Sequence, residues 1–195
     1  MDTRFQTVEE TIARELTTER LILRRWRDSD REPFARMNAD PIVMEFFPAV
    51  LSREESDALV DRAIAHFAGH GFGPWAVELR ASGAFVGFIG MSVPLFEAAF
   101  TPCIEIGWRV APEHWGKGLA TEGARAVVES AFHEIGLRYL VSFTSEGNLR
   151  SRRVMEKLGM TRDPDEDFDH PSIAEGHRLR RHVLYRLKRS EKVGS

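Results

Sequence analysis

The sequence holds one cysteine, Cys103, in 195 residues. That excludes an intrachain disulfide and any zinc site built on paired cysteines. A lone thiol suits a reducing compartment. Long apolar runs are missing too: nothing approaches the ~18 residues that a membrane-spanning helix needs. The opening stretch, MDTRFQTVEE, lacks the basic-then-apolar plan of a signal peptide, so a cytoplasmic protein without membrane contact is expected. There is no basic excess. Lys and Arg number 27 against 30 Asp and Glu, a net charge of −3, which leaves no footprint for nucleic acid. The histidines of the last third, His170, His177 and His182, have no H-x-x-x-H spacing among them, so no metal is expected.

What is present is an ordinary globular balance, 43% hydrophobic and 29% charged, in a chain long enough for one domain and short for two. Alternating runs read as strands at 20–26, 74–80, 85–93, 104–110, 138–144 and 181–187. Helices are predicted at 28–41, 52–69, 120–136 and 148–159. The first two carry capping-box spacing, Ser29 with Glu32 and Ser52 with Glu55, and Pro41 stops the first. In the third, Ala124, Val127, Val128, Ala131, Phe132 and Ile135 form one apolar side, and Gly136 ends it. The order β-α-α-β-β-β-α-β-α-β is mixed α/β, with no repeat and no interdomain linker. Residues 1–17 read as a polar N-terminal arm, 18–188 as a single domain and 189–195 as a charged tail.

The stretch HWGKGLATEG (114–123) sits where a strand gives way to a helix. A dinucleotide fingerprint needs a third glycine where Thr121 stands, and the G-x-x-x-x-G-K-[ST] string of a P-loop is absent. The first backbone N–H groups of a helix have no partner inside it, and the helix dipole adds positive charge there. Gly116 and Gly118 would let a phosphate come close, and Lys117 could add a charge-assisted contact. Two glycines also serve a tight turn and nothing more.

The string EIGWRVAPEHWGKGLATEGARAV resembles the acetyl-CoA-binding core of the GNAT acetyltransferases, in the form common to the RimJ/RimL-type branch. That pattern is a strand, a short loop, then [QR]-x-x-G-x-[GA] opening a helix. Gly118 and Ala120 fill the last slots, and Trp115 stands where the wider family has Gln or Arg. A second segment, NLRSRRVMEKLGM (148–160), resembles the family's N-x-x-[SA]…E-K-x-G-[FM], and TERLILRRWRDSD (18–30) resembles the branch's opening. The likeness runs from about residue 18 to 187. It implies a central, mostly antiparallel, twisted sheet of six to seven strands flanked by about four helices, with a splayed strand pair holding the cofactor.

The resemblance also implies roles. The N–H groups of Gly116, Lys117, Gly118, Leu119, Ala120 and Thr121 would cradle the pyrophosphate of acetyl-CoA, beside Trp115. Backbone at Val110 would pair with the pantetheine arm and offer an N–H to the developing oxyanion. Asn148 would bond the arm from the other wall. Arg153 would reach the 3′-phosphate or else lie on a solvated helix face. An alkylamine near pH 7 is mostly protonated, so a general base is useful. Glu105, on the strand beside the thioester, is the candidate, its pKa raised by an apolar cleft. Its alternative is an ion pair with Arg109. Many members place a tyrosine seven residues after the asparagine to protonate the thiolate. Here that position is Met155, leaving Ser151 as a candidate donor or as a packing residue.

The expected activity is acetyl transfer from acetyl-CoA to a primary amine, either a protein N-terminus or a small molecule, by direct attack in a ternary complex. The alternative is an acetyl-CoA-binding regulatory module with little turnover, given Met155. Monomer and homodimer are both compatible with the sequence. Cys103 is expected to be a buried, inert thiol. The run DPDEDFD (163–169) could attract an amine or be a solvated loop, and Trp26, Phe46 and Phe47 could line the pocket entrance or pack in the core.

Overall fold

The computed structural model describes residues 15–190. Residues 1–14 of the expected arm and 191–195 of the tail lie outside that range. The chain runs β1 (Leu16–Thr17), β2 (Leu21–Arg24), α1 (Asp28–Ala39), α2 (Arg53–His70), β3 (Pro74–Leu79), β4 (Phe85–Ser92), β5 (Glu105–Val110), α3 (Leu119–His133), β6 (Tyr139–Ser145), α4 (Leu149–Lys157), β7 (Thr161–Arg162), β8 (Phe168–Asp169) and β9 (Arg181–Lys188). The six strands and four helices expected from periodicity all form. The sheet nonetheless has nine strands. The added ones, β1, β7 and β8, are two-residue pieces, too short to show alternation. β1 pairs with β2, so Leu16 and Thr17 belong to the sheet and not to an arm.

The strand order is β1-β2-β3-β4-β5-β6-β9-β7, with β8 also on β9. Every pairing is antiparallel except β5–β6. That pair is parallel because α3 carries the chain back across the sheet between them, as a parallel connection requires. α3 covers one face: Ala124, Val127 and Ala131 pack with Leu21, Ile89, Ile106 and Leu140 in the main core. α1 and α2 cover the other, where Phe34, Met37, Val60 and Ala63 meet Ala76 and Phe88.

Local chemistry sets the helix ends. Ser52 Oγ accepts the Glu55 N–H at 3.2 Å and Glu55 returns the bond to the Ser52 N–H at 2.7 Å, so the expected capping box of α2 forms. The expected box at Ser29 and Glu32 does not. α1 starts at Asp28 as expected, but its N-cap is Arg27, two residues before Ser29, with Asp30 accepting the Arg27 N–H at 2.8 Å. Asp30 is 2% exposed because the Arg24 guanidinium grips both of its oxygens, at 2.7 and 2.8 Å. That long-range fork fixes the cap ahead of the local signal.

Candidate active site

β5 and β6 touch only where they begin. Glu105 stands opposite Val141, and the Val141 N–H donates to the Ile104 carbonyl at 3.0 Å. Beyond that point no ladder pair joins them among the described residues. The free edge of β5 follows from its pairing with β4. The Ala111 N–H donates to the Val86 carbonyl at 2.9 Å, and antiparallel pairs alternate, so Arg109, Gly107 and Glu105 bond toward β4. The N–H groups of Trp108 and Val110 therefore face the gap. Trp115 closes its end by donating Nε1 to the Val110 carbonyl at 2.6 Å.

This gap opens into a cleft of about 680 Å³. Its far end is the start of α3. Gly116 and Gly118 take φ of 72° and 79°, in the left-handed region where other residues are strained. Gly118 occupies the N-cap position without a side-chain cap, so the first N–H groups of α3 meet no acceptor from a capping residue. Gly116, Gly118, Leu119, Ala120 and Thr121 line the cleft. Lys117 does not. Its carbonyl is held by Arg20 Nη1 at 3.0 Å, and Arg20 also grips Glu122 across the start of α3.

On the opposite wall, Asn148 caps α4. Its Oδ1 accepts the Ser151 N–H at 3.2 Å, while Nδ2 donates to Thr144 Oγ1 at 3.0 Å and Ser151 Oγ at 3.2 Å. With Oγ accepting, the Ser151 hydroxyl hydrogen is free to donate into the cleft. Met155 is buried at 1% exposure and supplies no proton donor. Arg153 is exposed at the rim.

Glu105 sits at the closed end. Burial pushes its carboxyl from 4.5 up to about 8, opposed by a long contact from Ser92 Oγ at 3.4 Å. It makes no ion pair with Arg109 among the described residues. Arg109, on the same face of β5, turns to Asn38, donating Nη1 to Oδ1 at 2.6 Å, under the Phe47 ring at 4.0 Å.

Several residues reach the cleft without having stood out in the sequence. His170 and His182 line it with rings 5.0 Å apart, and burial lowers His182 to about 4, so it is neutral near pH 7. His114 lines it with Nδ1 buried and unpartnered among the described residues. Phe46 and Phe47 are at the cleft, whereas Trp26 is core, its Nε1 bonded to the Pro74 carbonyl at 2.8 Å. The acidic run does not reach in. Glu166 pairs with Arg186, Asp167 with Arg162, and Asp169 with Arg180 and Arg181. Cys103 is buried, and its thiol is raised to about 11, so it is inert near neutrality. His66 and His70 stack 4.3 Å apart outside the cleft, and no group of three metal-ligating side chains forms among the described residues.

An acetyltransferase (GNAT) domain profile matches residues 20–161. The chain belongs to the GNAT acetyltransferases. An FsC-acetyl coenzyme A-N(2)-transacetylase of Aspergillus fumigatus is 34% identical over 187 residues, which span 90% of this chain and 77% of that one. An acetyltransferase structure from Agrobacterium tumefaciens superposes with a TM-score of 0.74 at 28% identity, covering 90% of this chain and 95% of the other. The RimL ribosomal L7/L12 alpha-N-protein acetyltransferase, solved with coenzyme A, shares the fold with a TM-score of 0.71 at 14% identity, over 90% and 98% of the two chains. The acetyltransferase thus has the family's splayed sheet. GNAT enzymes use acetyl-CoA; two features of this cleft suit that molecule and a third suits an amine partner. Free N–H groups at a helix start suit a pyrophosphate. An unpaired strand edge suits the amide-bearing arm. A carboxyl of raised pKa suits proton removal from an amine. None of the helices among the described residues is long and apolar enough to cross a membrane.

Proposed function

We propose that this acetyltransferase moves an acetyl group from acetyl-CoA to a primary amine by direct attack, both substrates being held in the one cleft. The observation that carries this reading is the strand pair that parts after Glu105, with the uncapped start of α3 at its far end. Acetyl-CoA supplies a thioester acyl group. The N–H groups of Gly116 and of Gly118 to Thr121 hold its phosphates, the β5 edge at Trp108 and Val110 aligns its arm, and Asn148 supports the arm from the start of α4. Arg153, at the rim, is placed for a peripheral phosphate. Glu105 accepts the amine proton, directly or through water. Of the two open N–H groups, that of Trp108 lies nearer Glu105 and is available to the developing oxyanion, Val110 being about 16 Å along the strand. Ser151 offers a hydroxyl to the leaving thiolate, itself a good leaving group.

The acceptor is a small-molecule amine or a protein N-terminus. The A. fumigatus relative is named for N(2)-transacetylation of FsC, and RimL for alpha-N acetylation of ribosomal L7/L12. The WGKG form at 115–118 places the chain with the RimJ/RimL-type branch in our reading.

Thermal melting tests the cofactor assignment. Acetyl-CoA at 100 times its Kd adds ~2.7 kcal/mol, roughly 5–10 °C for a chain of this size. NADH and ATP should give no such shift. Ala120→Asp supplies the control. An acid in the first turn repels a phosphate, so the acetyl-CoA shift, read against the variant's own unliganded Tm, should disappear. An undiminished shift in that variant would remove the pyrophosphate from this helix start.

A further inference from the structure

A cation without a counter-ion among the described residues stands in the acceptor end of the cleft. Arg109 lines the cleft beside Phe47 and Phe88. Its Nη1 donates to Asn38 Oδ1 at 2.6 Å, and Asn38, wholly buried, is fixed in turn by Ser56 Oγ at 2.8 Å. Nε is buried with no acceptor, and Nη2 makes no hydrogen bond among the described residues. Burial lowers its pKa to about 10 with no carboxylate to oppose the shift, yet the group stays charged near neutrality. A buried guanidinium costs free energy unless it is paired. Here Nη1 is anchored and Nε is covered by protein, which leaves Nη2 to meet an acidic oxygen from the cleft.

The floor between Arg109 and Glu105 is bare. All three residues 105, 107 and 109 face the same side of β5, and Gly107 stands opposite Gly90 of β4. A methyl built on Gly107 would lie 3.7 Å from Glu105 Oε1, so the carboxyl leans over the glycine. Strand rise separates Cα105 from Cα109 by about 13 Å, and side chains reaching inward leave room for a few bonded atoms. The geometry points to an acceptor that carries a carboxylate as well as its amine: the amine meets Glu105, the chain crosses Gly107, and the carboxylate takes Nη2 of Arg109. This assignment rests on the amine-acetylation reading above. The same cation repels polyamines.

The test compares acceptors in pairs that differ only by the carboxylate: 4-aminobutyrate with butylamine, 5-aminovalerate with pentylamine, and short peptides with Asp or Asn at the second position. Wild type should favour the carboxylate member of the small pairs, or of the peptide pair, at least tenfold in kcat/KM. Whichever pair responds identifies the source of the carboxylate. Arg109→Gln should bring that ratio to within about twofold of unity, through KM, with turnover of the uncharged amine and the Kd for acetyl-CoA unchanged. Arg109→Lys keeps the charge without the planar fork and should keep part of the ratio, and it carries the test if Arg109→Gln fails to fold. A ratio near one in wild type, or one that survives in Arg109→Gln, overturns the assignment. A binding arm needs no turnover: with CoA present and ionic strength fixed, glutarate should raise the Tm of wild type and not of Arg109→Gln. No response from wild type also overturns it. If no amine is acetylated but glutarate acts through Arg109, the carboxylate site stands and the amine-transfer reading falls.

Discussion

A single carboxyl shows how burial sets chemistry. Glu105 is raised from 4.5 to about 8 because the cleft strips it of water and the Ser92 contact is too long to compensate. A base acts only when deprotonated, so kcat/KM should rise with pH through a limb near 8. Glu105→Gln should lower kcat/KM by about a hundredfold or more and abolish that limb, leaving only the acceptor amine's own titration near pH ~10. A limb unchanged in the variant would assign the proton to another group. Stability gives a second reading of the same shift. The folded state holds the proton more tightly than the unfolded chain, so the contribution is fully present below pH 4.5 and is lost as pH rises through 8. Gln does not titrate. The variant should therefore gain Tm relative to wild type between about pH 5 and 8, as melting curves across that range would show.

Elements are tied together by charges that local sequence does not reveal. Arg24 of β2 grips Asp30 of α1 with two nitrogens and Glu78 of β3 with Nε at 2.6 Å. Both Arg24 and Asp30 are almost fully buried. Arg24→Met would leave the carboxylates buried without their cation, a loss of about 3–5 kcal/mol, or a Tm fall of roughly 6–20 °C. Arg53→Ala, which breaks only solvent-screened bridges to Glu32 and Asp57, should leave the denaturation midpoint nearly unchanged. Equal losses in a denaturation series would refute the distinction. The same network explains what the sequence conceals. Alternation and capping placed six strands and four helices, because those signals lie within one element. The start of α1 at residue 28 was legible, but its cap was not, because Asp30 answers to Arg24 and to the Arg27 N–H and Ser29 caps nothing. The strands β1, β7 and β8 exist only through their partners. In the cleft, the glycine junction and Asn148 were visible as motifs. Arg109 was visible only as a possible ion partner of Glu105, and His170 and His182 arrive by the return of β9 beside β6.

The whole molecule is a sheet in two parts. β1 to β5 form one and β6 to β9 the other, and near the cleft their only ladder contact among the described residues is at Glu105 and Val141. α3 crosses between them, so its exposed first turn and the open edge of β5 belong to one continuous surface. A ligand with phosphates at one end and amides along its arm would complete hydrogen bonds that the chain leaves open at both places. Amide hydrogen exchange can read each place separately. Without ligand, the Trp108 and Val110 N–H groups and those of Leu119, Ala120 and Thr121 should exchange quickly, while Val141, already bonded to Ile104 at 3.0 Å, is protected. Acetyl-CoA should slow both open sets together and leave Val141 little changed. Slowing at 119–121 alone would keep the phosphate seat but remove the β5 edge from the arm's path. Slowing of neither set, under conditions where acetyl-CoA raises the Tm, would place the molecule elsewhere and detach the parted strands from cofactor binding. The joint response is expected because the same glycines that uncap α3 also bring its start up to the end of the opened strand.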